Sequence, residues 1–272
     1  MQKIPKSSKI HSVQAEERQY KIYNYLQEKE FCSLDELSEI LNTSISSIRR
    51  DVNRLEKKGL IRRTHGGARL TDRLEPGNLL AAPNISVLAD VKKKIGFCCA
   101  SLISPGQTII MDGGSTVYSV AQRLMSKHPI VITNSLPIAN LYSSYSQVEV
   151  HVTGGVIYPR LGVLTGPKAV EGFSKIHADV AIMGAGGLTL DEGVTNTHAL
   201  LIDMQLAMIH AAQKVIFCMD STKLSRRSLF FLCAASYIQT LVTDSGADPK
   251  FIKALRSKGI EVHIAGEKPA EF

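Results

Sequence analysis

The chain has 272 residues, and its 32 Lys and Arg against 25 Asp and Glu give a formal net charge of +7. This length is long for one ordinary domain and suits a small domain followed by one of roughly 200 residues. The basic excess lies near the start, because residues 1–70 hold 14 basic and 9 acidic side chains, a net charge of +5. A polyanion is therefore expected as the partner of the N-terminal part and not of the larger part.

Composition also argues against several classes of protein. Five cysteines without a paired CxxC spacing favour buried free thiols over a disulfide framework or a zinc ribbon. Residues 1–12 lack the apolar core of a secretory signal, and no apolar run reaches the ~20 residues of a membrane span. A soluble cytoplasmic protein without a metal site is expected.

Two amphipathic helices are predicted before residue 43. Residues 14–29 carry apolar side chains at a helical period, and Ser33 with Glu36 forms a capping box that opens the second helix. The side chains expected to face the core are Ile22, Tyr23 and Leu26 in the first helix, and Leu34, Leu37, Ile40 and Leu41 in the second.

A basic third helix is predicted over residues 44–58, with Thr43 and Ser44 able to cap it and Gly59 ending it. Its apolar stripe consists of Ile45, Ile48, Val52 and Leu55. Its opposite face carries the residue types that pair with base edges and phosphates, and a helix of this length fits a major groove. Asp51 is the acidic exception on this helix, and it is expected to pair with a neighbouring arginine.

A basic hairpin is predicted directly after this helix, with strands at residues 60–63 and 68–70 joined by a turn at residues 65–67. Three helices followed by such a hairpin form a winged helix-turn-helix, which binds double-stranded DNA. The predicted DNA-binding residues are Ser44, Ser46, Ser47, Arg49, Arg50, Asn53, Arg54, Lys57, Arg63, His65 and Gly66.

Residues 16–69 resemble the N-terminal domain of the DeoR-type bacterial transcriptional repressors. The motifs that carry the resemblance are Ser44-x-x-Ser-Ile-Arg-Arg-Asp-Val-x-x-Leu55 and Arg63-x-His-Gly-Gly-Ala68. The resemblance implies operator binding by a repressor.

Three segments are predicted: a DNA-binding domain at residues 1–70, a linker at residues 71–89 and a larger domain at residues 90–272. The linker contains Pro76, Gly77 and Pro83 and lacks a sustained period. A helix at residues 89–103 is expected to open the larger domain, with Lys92, Lys93 and Lys94 as its solvated start.

The larger domain is predicted to be an open, largely parallel α/β sheet. Short apolar strands alternate with helical stretches, and they are expected near residues 108–111, 130–133, 148–152, 180–183, 215–219, 241–243 and 260–264. Five of these strands end in Gly, Ser, Thr, Asn or Asp, and ligands of such sheets bind beyond the carboxyl ends of the strands. The predicted effector-binding residues are Asp112, Gly113, Gly114, Ser115, Thr116, Asn134, Ser135, Gly154, Gly155, Gly184, Asp220 and Lys223.

The glycine-rich loop before residue 115 leads into a helix N-terminus, which suits a phosphate. Neither a P-loop nor a dinucleotide-binding pattern is present, so NTP and NAD are disfavoured and no cofactor is expected. His198 and His210 are expected to be packing or surface residues.

The C-terminal part also resembles the sensor domain of the DeoR family, which is similar to the fold of ribose-5-phosphate isomerase and glucosamine-6-phosphate deaminase. The motifs include Asp112-Gly-Gly-Ser-Thr116, Thr133-Asn-Ser135, Gly193-Val-Thr195 and Asp220-Ser-Thr-Lys223. The resemblance implies a phosphorylated sugar as effector, and a homo-oligomer, dimer or tetramer, is expected.

An enzyme remains the alternative. Asp191 or Glu192 with Lys223 supplies the types of base and cation that a sugar-phosphate isomerase needs. The DNA-binding domain at the front favours sensing, so a non-enzymatic transcriptional regulator is expected, and the resemblance implies that it controls a carbohydrate-utilisation operon.

Overall fold

The structure is a computed structural model that describes residues 15, 18–23, 25–26, 29, 31–57, 60–70, 88–159 and 161–266. The described residues up to 70, together with 88 and 89, form one compact unit, and those from 90 onward form another. Most of the predicted linker lies outside the described residues, and so does Gly59, the predicted end of the basic helix.

The described residues of the N-terminal unit form three helices. Helix α1 contributes the described helical residues 18–23, 25, 26 and 29, and it is followed by α2 (Leu34–Ile40) and α3 (Ile45–Lys57). The Ser33 hydroxyl accepts a hydrogen bond from the Glu36 N–H (3.1 Å), which confirms the predicted cap of α2. The buried apolar side chains of the three helices include Ile22, Leu26, Leu37, Ile48, Val52 and Leu55.

The predicted burial of two isoleucines is wrong. Ile40 is 47% exposed and Ile45 is 38% exposed. Ile40 is the last residue of α2 and Ile45 the first residue of α3, so both lie beside the interhelical turn. A side chain at a helix end lacks the cover of a further turn of its own helix, which helical periodicity alone does not take into account.

An antiparallel sheet completes this unit. Among the described residues it has three strands, β1 (Phe31–Ser33), β2 (Ile61–Thr64) and β3 (Gly67–Leu70), in the order β1-β3-β2. The predicted wing is confirmed as the β2–β3 hairpin, in which Arg63 pairs with Ala68 and Thr64 with Gly67. Strand β1 was not predicted, because three residues are too short to show an alternating pattern.

Asp51 connects two helices of this unit. Its side chain is 1% exposed, and its carboxylate accepts hydrogen bonds from Arg18 Nε (2.5 Å) and Gln19 Nε2 (3.1 Å) of α1. The predicted arginine partner is therefore found, but in α1 and not beside Asp51 in α3. Because a buried carboxylate needs such partners, this contact fixes α1 against α3.

The C-terminal unit is organised around a parallel sheet, as predicted. Its described part has seven strands in the order β15-β14-β12-β9-β4-β5-β6, and every neighbouring pair is parallel. The strands are β4 (Thr108–Met111), β5 (Ile130–Thr133), β6 (Glu149–Val152), β9 (Ala178–Met183), β12 (Ala212–Cys218), β14 (Thr240–Asp244) and β15 (Glu261–Ala265).

Helices cover both faces of this sheet. On one face, α4 (Ala89–Ser101), α5 (Ser115–Leu124) and α6 (Leu136–Ser143) contribute to an apolar core with strand residues that include Ile109 and Ile182. On the other face, α7 (Pro167–Glu171), α8 (Ile202–His210) and α9 (Pro249–Ser257) pack against residues that include Ile110 and Ala181. Alternate residues of one strand thus enter opposite cores, as expected for a buried parallel strand.

Five further strands were not predicted. Strands β7 (Val156–Tyr158) and β8 (Val163–Thr165) form an antiparallel pair, and β10 (Gly187–Thr189), β11 (Gly193–Asn196) and β13 (Phe230–Cys233) form a small antiparallel sheet. They lie in the long connections between β6, β9, β12 and β14. The cysteines are free as predicted, and Cys98 is the one that is only half-buried.

We expect Asp51→Ala to destabilise the N-terminal unit by about 1–3 kcal/mol, since the substitution removes the acceptor of Arg18 and Gln19. Urea unfolding of the full chain, monitored by the far-UV circular dichroism signal of its helices, measures the change in the free energy of unfolding. Glu39→Ala, at an exposed position of α2, serves as the control. Equal unfolding midpoints for the two variants would show that the contact contributes nothing.

Candidate functional site

The first candidate site is the exposed face of α3 together with the wing. Of the predicted DNA-binding residues, nine are exposed and two, Ser47 and Asn53, are half-buried. All eleven belong to α3, to the residue directly before it, or to the β2–β3 hairpin. The structure therefore brings them to one helix face and one hairpin of the same unit.

Hydrogen bonds hold two of the arginines in this surface. Arg50 donates from Nη2 to the Ser47 hydroxyl (3.1 Å) and from Nε to the Ser46 carbonyl (3.3 Å). Arg63 of the wing donates from Nη1 to Asn53 Oδ1 (2.5 Å), and its backbone N–H donates to Glu56 Oε1 (2.9 Å). The wing is thus fastened to α3, and Glu56 is a contributor that the sequence did not indicate.

The second candidate site lies at the carboxyl edge of the parallel sheet. The chain passes from β4 outward to β5 and β6, and then returns to the other side of β4 with β9, β12, β14 and β15. The order therefore reverses between β4 and β9, and open α/β sheets bind their ligands at such a reversal. The residues that follow β4 and β9 are Asp112 and Gly184, both predicted as effector-binding.

Asp112 is the centre of a hydrogen-bond network at this crevice. Its Oδ1 accepts from the Gly113 N–H (2.7 Å), and its Oδ2 accepts from the Gly184 N–H (3.2 Å) and from Gln205 Nε2 (2.7 Å). Gln205 Oε1 in turn accepts from Asn196 Nδ2 (2.8 Å). One carboxylate thus links β4, β9, helix α8 and the small antiparallel sheet.

Burial changes the acidity of this carboxyl group. Asp112 is 4% exposed, and desolvation raises its pKa to about 6, although the bonds from Gln205, Gly184 and Gly113 favour the ionised form. We conclude that Asp112 organises the loops of the crevice. Both of its oxygens already accept hydrogen bonds from the protein.

The loop after Asp112 is suited to an anion. Gly114 has φ 104°, a conformation that favours glycine, and it occupies the N-cap position of α5. Glycine has no side chain that could accept hydrogen bonds from the first turn of α5. The backbone N–H groups of Ser115 and Thr116 therefore point toward the crevice, and the positive end of the helix dipole lies there as well.

The loop after β5 supplies a buried amide. Asn134 is fully buried, and its Nδ2 donates to the Leu164 carbonyl (2.9 Å). Its Oδ1 is buried without a hydrogen-bond partner among the described residues. Ser135 instead caps α6, with its hydroxyl accepting from the Ile138 N–H (3.4 Å). Asn134 is therefore the better candidate for a ligand contact.

A short turn follows β12 at the same edge. Asp220 is 2% exposed and caps the 3₁₀ turn Ser221–Lys223 by accepting from the Thr222 N–H (3.1 Å). Asp244 at the end of β14 holds the turn from the other side, accepting from the Ser221 N–H (2.6 Å) and hydroxyl (2.9 Å). Lys223 is half-buried in this turn.

The predicted solvent exposure of one lysine is wrong. Lys92 was expected to be solvated with its neighbours, but it is 4% exposed, whereas Lys93 and Lys94 are exposed. It lies on the face of α4 that also carries Ile95 and Cys99, three and seven residues further along. The helical spacing of Lys92 relative to Ile95 and Cys99 could therefore have predicted its burial. It was overlooked because Lys92 stands in a run of three lysines.

The acidic turn at Asp191 and Glu192, which the enzyme alternative pairs with Lys223, lies near other basic residues. Glu192 is paired with Arg227 (2.8 Å). The turn lines an open pocket of about 730 Å³ whose wall includes Leu190, Asp191, Glu192, Phe231, Ser236, Lys258 and Ile260. Ile260 directly precedes β15, so this pocket extends to the amino edge of the sheet, whereas Lys223 follows the carboxyl end of β12.

Two residues of the Asp112 network, Gln205 and Asn196, were not predicted. Gln205 lies within helix α8, and nothing in its spacing distinguishes it from other polar helix residues. Asn196 ends strand β11, which was itself not predicted. His198 contacts the Tyr158 ring at a centroid distance of 5.7 Å, which fits its predicted packing role.

Membrane-spanning helices and clusters of metal-ligating side chains are both absent from the described part of the chain. None of its helices has the length and apolar character required to cross a membrane. Within the same residues, His, Cys, Asp and Glu side chains do not gather in groups of three or more that could hold a metal ion.

A winged helix-turn-helix with a polar exposed face, joined to an α/β unit with a crevice at its strand reversal, defines a DNA-binding regulator with a ligand-binding domain. Residues 18–73 match the DeoR-like helix-turn-helix domain, and residues 88–245 match the DeoR C terminal sensor domain. The chain belongs to the DeoR family of transcriptional regulators.

Similar proteins include the transcriptional regulator GolR of Listeria innocua, which is 31% identical over 92% of this chain and 98% of its own length. The transcriptional repressor GlcR of Bacillus subtilis is 30% identical over 92% of this chain and 96% of its own length. Among solved structures, translation initiation factor eIF-2B of Pyrococcus horikoshii is 18% identical, with a TM-score of 0.42, over 80% of this chain and 75% of that chain. Ribose 5-phosphate isomerase from Plasmodium falciparum is 16% identical, with a TM-score of 0.36, over 50% of this chain and 52% of that chain.

We expect Gln205→Leu to destabilise the chain by about 1–3 kcal/mol, because it removes the partner of both Asp112 and Asn196. The decrease in the free energy of unfolding should be larger at pH 8 than at pH 5. Since Gln205 stabilises the ionised carboxylate, its removal raises the already elevated pKa of Asp112 further, and a raised carboxyl pKa lowers stability above that pKa.

Urea titrations at the two pH values test this, with Gln213→Leu, at an exposed position of β12, as the control. A cost that is the same at both pH values would contradict the coupling between Gln205 and Asp112.

Proposed function

We propose that this DeoR-family protein represses a carbohydrate-utilisation operon and that a phosphorylated sugar controls its binding to the operator. The carrying observation is the crevice between β4 and β9, where the Gly114-capped N-terminus of α5 lies on the same sheet edge as the Asp220–Lys223 turn. A helix N-terminus and an ammonium group suit a phosphate. The names of relatives such as the repressor GlcR support repression.

We propose the following roles for the predicted effector-binding residues of the crevice. The N–H groups from Gly114 to Thr116 and the ammonium group of Lys223 bind the phosphate. The unpartnered Oδ1 of Asn134 accepts a hydrogen bond from a sugar hydroxyl group. Asp112 and Asp220 hold the loops in place, and Gly154, Gly155 and Gly184 allow backbone to approach the ligand.

The DNA-binding unit acts through the exposed face of α3. We assign base contacts to Ser46, Arg50 and Asn53, whose side chains lie on the face opposite the buried stripe. Arg49, Arg54 and Lys57 at the flanks, with Arg63 and His65 of the wing, contact phosphates and set the position of α3 on the duplex.

Regulation requires two states of the protein. A sugar phosphate that binds both states equally would change nothing, so it must bind the DNA-competent and DNA-incompetent states with different affinity. We further propose that the chain acts in the cytoplasm as a homo-oligomer, a dimer or a tetramer. Its half-sites then lie about one helical turn, or a multiple of it, apart.

We expect Arg50→Ala to weaken operator binding by about 1–3 kcal/mol and to leave binding to unrelated duplexes little changed, because a base contact is lost. Lys57→Ala should instead weaken both and reduce the salt dependence, because a phosphate contact is lost. Fluorescence anisotropy with operator and random duplexes over a range of salt measures both. Unchanged operator affinity of Arg50→Ala would contradict the assignment of α3 as the recognition helix.

We expect a phosphorylated sugar to raise the melting temperature of the full chain and Lys223→Ala to remove the increase. A thermal-shift panel of sugar phosphates with the parent sugars measures it. Lys258→Ala is the matched control, because Lys258 lines the second pocket. Loss of the increase in Lys258→Ala, with retention in Lys223→Ala, would place the ligand in that pocket instead.

The same sugar phosphates, incubated with the chain and assayed for product formation, test the enzyme alternative. We infer that the chain does not turn over its effector, because Glu192 is paired with Arg227 and the acidic turn lines a pocket with Lys258. Conversion of a sugar phosphate to an isomer or a deaminated product, lost in Lys223→Ala, would establish catalysis.

A further inference from the structure

The two edge strands of the described parallel sheet carry the same tripeptide. Strand β6 reads Glu149-Val150-His151 and strand β15 reads Glu261-Val262-His263. The outer side of an edge strand presents backbone groups that the sheet does not pair, and proteins usually cover such an edge or place charges on it. The surroundings of the two edges differ, so one of them is better suited to pairing with another chain.

The charged residues of β15 are held by their own sheet. Glu261 accepts hydrogen bonds from Thr240 Oγ1 (2.9 Å) and Lys214 Nζ (3.3 Å), which lie on β14 and β12. His263, next to Glu261 on the same face, is 30% exposed. These contacts direct the carboxylate toward the sheet and away from a partner on the outer side.

The edge at β6 is more open. Among the described residues, no further strand pairs with its outer side. His151 and Glu149 lie 2.6 Å apart, and their side chains are 56% and 64% exposed. Three large apolar side chains are also exposed in this strand and in β7 directly after it, namely Val152, Val156 and Ile157. Charged and apolar surface are thus both available at this edge.

The direction of the backbone groups in β6 is fixed by its pairing with β5. The Thr153 N–H donates to the Thr133 carbonyl of β5 (3.2 Å). Because backbone groups alternate in direction along a strand, the two charged residues of β6 also direct theirs toward β5, whereas Val150 and Val152 direct theirs outward. A strand added on the outer side must therefore bond to these two valines.

We propose that β6 pairs antiparallel with β6 of a second copy of this chain, about a two-fold axis at Val150. In this register the two Val150 residues form a hydrogen-bonded pair, which matches the outward direction of their backbone groups. Glu149 of each copy then lies opposite His151 of the other in a non-hydrogen-bonded pair, where side chains approach most closely. Val152 of each copy lies beside Val148 of the other, which covers its exposed side chain.

The self-complementarity of β6 argues for a second copy as the partner. When the strand is reversed upon itself, its carboxylate meets an imidazole at both ends, and its apolar centre meets itself. Such a contact is closed, because each copy uses the same patch. Pairing of β6 with β15 of another copy would be a head-to-tail contact, which forms open chains unless a ring closes. The inference rests on the proposed homo-oligomer and names its contact surface.

Exchange of charge across the pair tests the proposal. We expect His151→Glu to place carboxylates opposite one another at both ends and to raise the dissociation constant of the oligomer about tenfold or more. Mixing this variant with Glu149→Lys should restore association, because each carboxylate of the first chain then faces the histidine or the introduced lysine of the second. Sedimentation velocity of the full chains over a range of concentrations measures association.

The mixture separates contacts between chains from contacts within one chain. In the His151→Glu chain two carboxylates remain side by side whether or not it is mixed, so an effect inside that chain would not be relieved. A mixture that associates no more strongly than either variant alone would therefore overturn the proposal. Unchanged far-UV circular dichroism spectra show that the variants are folded, as expected for substitutions at exposed positions.

His263→Glu, at the matching position of β15, is the control and should sediment like the wild-type chain. Dissociation in this variant and not in His151→Glu would assign the contact to the other edge of the sheet, which contradicts the proposal.

Failure of the inference differs from failure of the proposed homo-oligomer. If the wild-type chain assembles and His151→Glu assembles equally well, the contact surface is wrong and the homo-oligomer stands. If the wild-type chain is a monomer both alone and on operator DNA, both are wrong. Operator binding and the response to a sugar phosphate are measured separately, so they stand in either case.

Discussion

Parallel pairing of β4 with β9 is the constraint on which the ligand crevice depends. Because every neighbouring pair in the sheet is parallel, all carboxyl ends meet at one edge, and the chain reverses its order of strands between these two. The loops that follow β4 and β9 therefore diverge and leave a crevice between them. The backbone N–H groups of Gly113 and Gly184 in these loops point toward Asp112. Asp112 satisfies two of these groups and Gln205 at once, so a single buried carboxylate holds the opening in a defined shape.

A second buried carboxylate has the same effect in the DNA-binding unit. Asp51 bonds Arg18 and Gln19 of α1, so the polar side of α3 is left to the solvent and the apolar side to the core. Arg63 and Glu56 then fix the wing relative to that helix. In both units an acidic residue that contacts no proposed ligand determines where the ligand-contacting residues point.

The sequence predicted the elements whose patterns are regular and local. The wing, the cap at Ser33 and the strands of the parallel sheet followed from periodicity and turn residues, because each is decided by neighbours within a few positions. The small sheet of β10, β11 and β13 was missed because its strands are three or four residues long and pair across a long connection. Ile45 was misplaced because its burial depends on where α3 begins relative to the core. Gln205 was missed because its place in the network is defined by a contact across more than ninety residues. The burial of Lys92 was missed because the run of three lysines concealed the helical spacing that it shares with Ile95 and Cys99.

For the phosphorylated sugar that we propose as effector, the burial of Asp112 also limits how the crevice can distinguish one sugar from another. Its oxygens are occupied by two backbone N–H groups and an amide, so binding a hydroxyl group there would cost an existing bond. Asn134 has the opposite property, because its buried Oδ1 is without a partner among the described residues and gains a bond when a donor arrives. Phosphate recognition by cations and a helix N-terminus is common to many metabolites, whereas one oriented amide oxygen accepts a hydroxyl group at one position only. Selectivity among phosphorylated sugars is therefore expected to depend on Asn134, and affinity on the charged turn after β12.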